Sequence, residues 1–167
     1  MNKMKVFIDT NIFIYWLKQT LGYSNIEKIR KLAKEEKVEI IISLDVLLEL
    51  HKGDAGSRDI GKIEQKWGYV IDYLTPNFVV GNTREAKESR ETLLAEYVSK
   101  WKELLKSVDD EDTKHYITSA LAGAKYFLTL NDRFINKMKN EGRKHLTAPK
   151  IVKPKEFIEA FNIVEKK

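Results

Sequence analysis

VFIDTNIFIYWL, residues 6–17, reads as a strand that passes through an acid directly into a helix. Lys5 to Ile8 is a short apolar run ending on Asp9, and it reads as a β-strand. Asn11 to Lys18 is apolar and compact. Ahead of it, Asp9-Thr10-Asn11 offers side-chain oxygens of the kind that cap a helix N-terminus. Outward from this unit the pattern recurs. Ser24 or Asn25 is placed to cap a helix running through Lys34, and Val38 to Ile42 is a β-branched run that reads as a buried strand. Ser43 can cap the helix Leu44 to His51, which Gly53 would stop.

The middle of the chain is less regular. Residues 54–61 read as a glycine-bearing loop, and Ile63 to Leu74 carries apolar residues at roughly helical spacing. Thr75-Pro76-Asn77 reads as a turn and Phe78 to Val80 as a short strand. A long helix follows, whose buried face is Leu94, Tyr97, Val98, Trp101, Leu104, Leu105 and Val108. Its first half, Arg84 to Arg90, is charged. Asp109 to Asp112 opens a helix running to about Ala122, Tyr126 to Thr129 is a strand, and a short helix starts near Asp132 or Arg133. Lys150 to Val152 is a last strand, and Pro154 starts a final helix through Phe161. Short strands alternating with helices predict an α/β domain, a parallel sheet covered on both faces.

The chain has 167 residues, the size of one domain, with 43% hydrophobic and 33% charged residues. It has no cysteine, which excludes a disulfide framework, a thiolate zinc site and a cysteine nucleophile. It carries neither a signal-peptide pattern nor an apolar run of roughly 18 residues, so the expected location is cytoplasmic, with no membrane span. The formal net charge of +5 favours a polyanion partner, although a solvated lysine-rich surface would give the same balance.

Open parallel sheets bind ligands beyond the carboxyl ends of their strands. Asp9 ends the first strand, Asn131 and Asp132 follow the strand at 126–129, Glu49 lies two turns into the helix after the second strand, and Asp112 lies in the first turn of the helix preceding Tyr126. Each acid has a plain structural reading, as an N-cap, an exposed helix residue or a partner of a helix dipole. Their joint order carries the functional reading. Crowded carboxylates stay ionised only beside a neutralising cation, and oxygen ligands suit Mg²⁺ or Mn²⁺. Such ions activate water and stabilise the leaving oxygen in phosphodiester hydrolysis.

That order resembles the PIN domain family, in its VapC-like endoribonuclease form. The first motif is VFIDTNIFIYWL, the second IIISLDVLLELHKG at 40–53, the third and fourth DEDTKHYITSALAGAKYFLTLNDRF at 110–134, and the close is IVKPKEFIEAF at 151–161. The resemblance spans one domain, residues 1–167, with a variable helical middle at 54–107. It implies a three-layer α/β/α sandwich with a central parallel sheet of about five strands, and Mg²⁺- or Mn²⁺-dependent endoribonuclease activity. Carried over by motif, Asp9, Glu49 and Asp112 are the core acids. Where the family often has a fourth acid, this chain has Asn131, and Asp132 is expected to supply the missing carboxylate one residue later. Thr10, Asn11, Asn131 and His115 are the expected supporting residues, His115 in a structural or phosphate-contacting role rather than as a general acid. Arg84, Lys87, Arg90, Arg133 and Lys137 are candidates for RNA backbone contact. Trp16, Trp67 and Trp101 could stack on bases, but their apolar settings favour core packing.

The expected partners are an RNA substrate, a small antitoxin protein if the chain is a toxin, and a second copy of the chain through the apolar middle helices. A housekeeping RNA-processing nuclease would carry the same acids, and a non-catalytic binding module would explain Asn131. An aspartate-nucleophile phosphatase is disfavoured, because Asn11 stands where that chemistry wants a second acid.

Overall fold

The computed structural model describes residues 3–52, 57–67, 70–72, 108–141 and 149–165, together with Ser99 and Lys106. The first strand, β1 (Met4–Ile8), leads into α1 (Thr10–Lys18) and α2 (Tyr23–Lys34). The second, β2 (Val38–Ser43), leads into α3 (Leu44–Lys52), followed by α4 (Ser57–Trp67) and β3 (Val70–Asp72). The chain then presents α5 (Asp110–Leu121), β4 (Tyr126–Leu128), α6 (Asp132–Glu141), β5 (Lys150–Val152) and α7 (Pro154–Glu165).

The five strands form one parallel sheet in the order β3-β2-β1-β4-β5. The chain first builds outward from β1 to β2 and β3, then returns to the other side of β1 for β4 and β5. The reversal opens a crevice beyond the carboxyl ends of β1 and β4, the place where open α/β sheets bind ligands.

Alternation along the strands sorts the core into two layers. Phe7 and Phe127 are register partners and stack at 4.9 Å between ring centroids. Phe127 also packs on Tyr116 of α5 and Phe134 of α6, which places these two helices on one face. Tyr126 points the other way and meets Phe157 of α7 edge-on at 5.1 Å. α7 packs in turn on α2, and α2 on α1 and α4. This is the parallel sheet covered on both faces that the alternation of elements predicts, and the three-layer α/β/α sandwich that the resemblance implies. The buried set includes Trp16 and Trp67, whose rings meet edge-on at 5.7 Å, so both serve the core. Trp101 lies outside the described residues.

Local expectations hold at several ends. Ser43 Oγ accepts from the Val46 N–H at 3.2 Å and caps α3, and Gly123 takes a left-handed φ of 75° past the end of α5. Four expectations need correction. Gly22, not Ser24 or Asn25, occupies the N-cap position of α2, with φ 75° and no side-chain cap. The helix expected from Ile63 begins at Ser57, within the stretch expected to be a loop, and ends at Trp67. Val70 and Ile71, which continue its apolar spacing, instead extend the sheet by pairing with Ile41 and Ile42. The final helix runs to Glu165 rather than Phe161. The third strand is therefore Val70–Asp72; the strand expected at Phe78 to Val80 lies outside the described residues, as does most of the long helix expected before Val108. No helix among the described residues is long and apolar enough to cross a membrane.

Candidate active site

Asp9 leaves β1 at its carboxyl end and is 8% exposed. Its Oδ1 accepts from the Thr10 N–H at 2.8 Å, so it does cap α1. Its Oδ2 does something else. It accepts from Thr129 Oγ1 at 2.6 Å and from Asn11 Nδ2 at 3.0 Å. Thr129 follows Leu128, the register partner of Ile8, so the pairing of β1 with β4 sets it beside Asp9. A threonine hydroxyl has one hydrogen and two lone pairs. Here all three are used, because Thr129 Oγ1 also accepts from Asn11 Nδ2 and from the Asn131 N–H, each at 3.1 Å. Asn11 Oδ1 in turn accepts from the Leu130 N–H at 3.1 Å. Asp9 therefore sits in a closed network that fixes its orientation.

Glu49 comes in from α3, whose flanking Val46 and Leu50 are buried. Both of its oxygens are held: Thr10 Oγ1 donates to Oε2, and His115 Nε2 lies 2.7 Å from Oε1. Asp112 and His115 are three residues apart on α5 and share a face. Asp9, Thr10, Asn11, Ile14, Glu49, Glu111, Asp112, His115 and Asn131 line one cleft of about 240 Å³.

The electrostatics show a surplus of negative charge. Burial raises the Asp9 carboxyl, and the Glu49 charge adds to this against the hydrogen bonds from Thr129 and Thr10. Burial also pushes Asp112 up to about 6, reinforced by the charges of Asp9, Asp109 and Glu49. Glu49 is the exception. Burial alone would raise it, but the hydrogen bonds from His115 and Thr10 and the charges of His115 and Lys114 together hold it below the usual carboxylate range. His115 is raised in return: burial disfavours its charge, and the Glu49 bond and nearby carboxylates overcome that.

The donor set fits a divalent cation. Asp9 and Glu49 each offer a carboxylate oxygen, and these oxygens and a ring nitrogen of His115 lie within 4.8 Å of one another. Asp112 adds a carboxylate whose proton affinity is raised first by burial and then by the charges of Asp9, Asp109 and Glu49.

The structure brings Asp9, Thr10, Asn11, Glu49, Asp112, His115 and Asn131 together, and it leaves Asp132 out. Asp132 faces Lys153 in an ion pair of 2.6 Å, with 69% of its side chain exposed. It is not the cap of α6 either: Asn131 Oδ1 accepts from the Phe134 N–H at 3.1 Å and fills that role. Arg133 is exposed, and Lys137 reaches Asp109 at 3.8 Å. Arg84, Lys87 and Arg90 lie outside the described residues. Sequence reasoning missed Thr129, Glu111 and Ile14. The threonine stood at the end of a recognised strand, but its role depends on β4 lying next to β1.

The family model of the PIN domain matches residues 5–133. The chain belongs to the PIN domain family. PIN domains are generally nucleases, and the matched segment contains every residue lining the cleft. Among solved structures, the chain is similar to one in the crystal structure of VapBC2 from Rickettsia felis bound to a DNA fragment from their promoter. The identity is 18%, the TM-score 0.54, and the similarity covers 90% of this chain and 98% of that one, which is a likeness of fold. No curated protein matches this PIN domain chain in sequence.

Proposed function

We propose that this chain is a divalent-cation-dependent endoribonuclease and the toxin of a toxin–antitoxin pair. One observation carries the catalytic reading: Asp9, Glu49 and Asp112 come from three separate elements and meet in one cleft at the switch point of the sheet. Asp9 and Glu49 would hold Mg²⁺ or Mn²⁺, with Asp112 contributing charge at the cleft. When bound, such a cation supplies Lewis-acid polarisation of a phosphoryl oxygen and lowers the pKa of a water. The protein's own part is to hold the carboxylates still. Thr129 and Asn11 fix Asp9, and Thr10 and His115 fix Glu49. Arg133 stands exposed next to Asn131 and Asp132, where a cationic side chain can steady an RNA backbone.

The toxin reading is supported by the fold shared with a chain of VapBC2 over nearly the whole length of both. It implies a small antitoxin protein as partner. Growth arrest on expression, relieved by co-expressing the product of a neighbouring small gene, tests it. No relief, with cleavage retained, points instead to a housekeeping nuclease. A pair of the chain's own copies remains part of the proposal and is checked by light scattering.

One observation favours a second reading, a non-catalytic RNA-binding module. Asn131 is neutral and Asp132 turns away, so the segment after β4 brings no carboxylate to the cleft, and the fourth acid lining it is Glu111. Incubating a mixed RNA pool with and without Mn²⁺ separates the two. Mn²⁺-dependent fragments support the nuclease, and retention without fragments supports the module.

A further inference from the structure

The geometry points to His115 as the positioning residue that holds Glu49 in the orientation needed to grip a divalent cation, donating from Nε2 to Oε1. This rests on the reading of the cleft as a cation site. Glutamate reaches the cleft through three rotatable bonds, and ordering such a chain costs up to about 1.5–2 kcal/mol of rotamer entropy. Two donors remove that freedom here. Thr10 comes from α1 and His115 from α5, and they take one Glu49 oxygen each. The carboxylate is thus clamped from both sides, which leaves the remaining lone pairs to face a ligand.

The ring itself is built to stay put. His115 is 4% exposed and packs against Phe7 of β1 at 6.3 Å between centroids. Nε2 faces a carboxylate oxygen at 2.7 Å, so it must carry a hydrogen, whatever the state of Nδ1. Nδ1 is buried with no hydrogen-bond partner among the described residues. The ring therefore directs its one polar bond at Glu49, and the bulk of the imidazole belongs to the apolar layer beneath the cleft. A nitrogen that donates to Glu49 is not free to ligate the ion, which separates this role from that of a ligand.

The test measures Mn²⁺ binding to the whole chain by calorimetry, and unfolding in chelator, for wild type, His115→Phe and His115→Gln. Phenylalanine keeps the packing and removes the donor. Glutamine keeps an N–H at nearly the reach of Nε2. Loss of an orienting partner weakens metal binding about 10- to 100-fold. The expected result is that loss in His115→Phe, with most of the affinity restored in His115→Gln. Unchanged affinity in His115→Phe, with only its unfolding altered, would mean a merely structural residue and overturns the inference alone. Equal loss in both variants assigns the nitrogen to the ion and also overturns it. A wild-type chain that binds no Mn²⁺ overturns the cation site as well. Imidazole ¹⁵N spectra of the wild type need no variant. Hydrogen on Nε2 before and after Mg²⁺ addition supports the inference, and its loss on addition contradicts it.

Discussion

Asp112→Asn should make the metal-free protein more stable at neutral pH. The Asp112 carboxyl is pushed from 3.8 to about 6 by burial and by the charges of Asp9, Asp109 and Glu49. A rise of about 2 units corresponds to about 3 kcal/mol of strain on the ionised form. The side chain is only partly withdrawn from water, and solvent screening reduces this to about 1–1.5 kcal/mol. The sign follows from linkage. A raised folded-state value means that the group's contribution to stability is full below about 3.8 and is lost as pH rises through about 6. At pH 7.5 the wild type carries the whole penalty, and a neutral asparagine removes it. Urea unfolding in chelator should show the variant about 1–1.5 kcal/mol more stable at pH 7.5, or a few degrees higher in Tm for a chain of this size. The gap should close between pH 6 and pH 4. Mn²⁺ should reverse the ranking, because only a protein that binds the ion tightly gains stability from it by mass action. A variant equal to or less stable than wild type at pH 7.5 in chelator would refute the penalty that burial and neighbouring charge place on ionised Asp112.

Thr129→Val removes the donor to Asp9 and the acceptor for Asn11 and Asn131; urea unfolding should show a loss of about 2–3 kcal/mol, with Thr129→Ser close to wild type. Asp132→Asn should leave metal requirement and turnover unchanged and move stability by less than about 0.5 kcal/mol, because it breaks only an exposed pair with Lys153. Asn131→Asp keeps the cap of α6 and adds a charge at the cleft, so calorimetry should show tighter Mn²⁺ binding. Glu36 sits at φ 58° past the end of α2, and Glu36→Gly should gain about 1 kcal/mol in thermal unfolding, less a few tenths for the exposed pair with Lys3.

The legible parts of this protein are those in which a chemical group and a secondary-structure signal coincide. Asp9 closes an apolar strand, Glu49 sits in a leucine-rich helix and Asp112 lies in the first turn of another, so chain order alone brought them toward one edge. Strand adjacency was not legible. That β4 lies against β1 gives Thr129 its role, and nothing local to Thr129 announces it. The fourth motif failed by one residue. Successive residues at a helix start point about 100° apart, so Asn131 faces the cleft while Asp132 faces Lys153. The middle of the chain misled through overlap of periods: Ile63, Trp67 and Ile71 continue a helical stripe, yet Ile71 belongs to a strand because pairing with β2 offers its backbone a ladder.

The proposed function is hydrolysis of RNA in the cleft with a divalent cation. It is tested most directly by incubating end-labelled RNA with the wild type and Asp9→Asn in chelator, Mg²⁺ and Mn²⁺, and mapping the ends of the fragments. Cleavage by the wild type is expected only when the ion is present, with none by Asp9→Asn and with ends free of 2′,3′-cyclic phosphate, because an added water rather than the ribose 2′-hydroxyl attacks. Cleavage that persists in chelator, or that survives in Asp9→Asn, would contradict it.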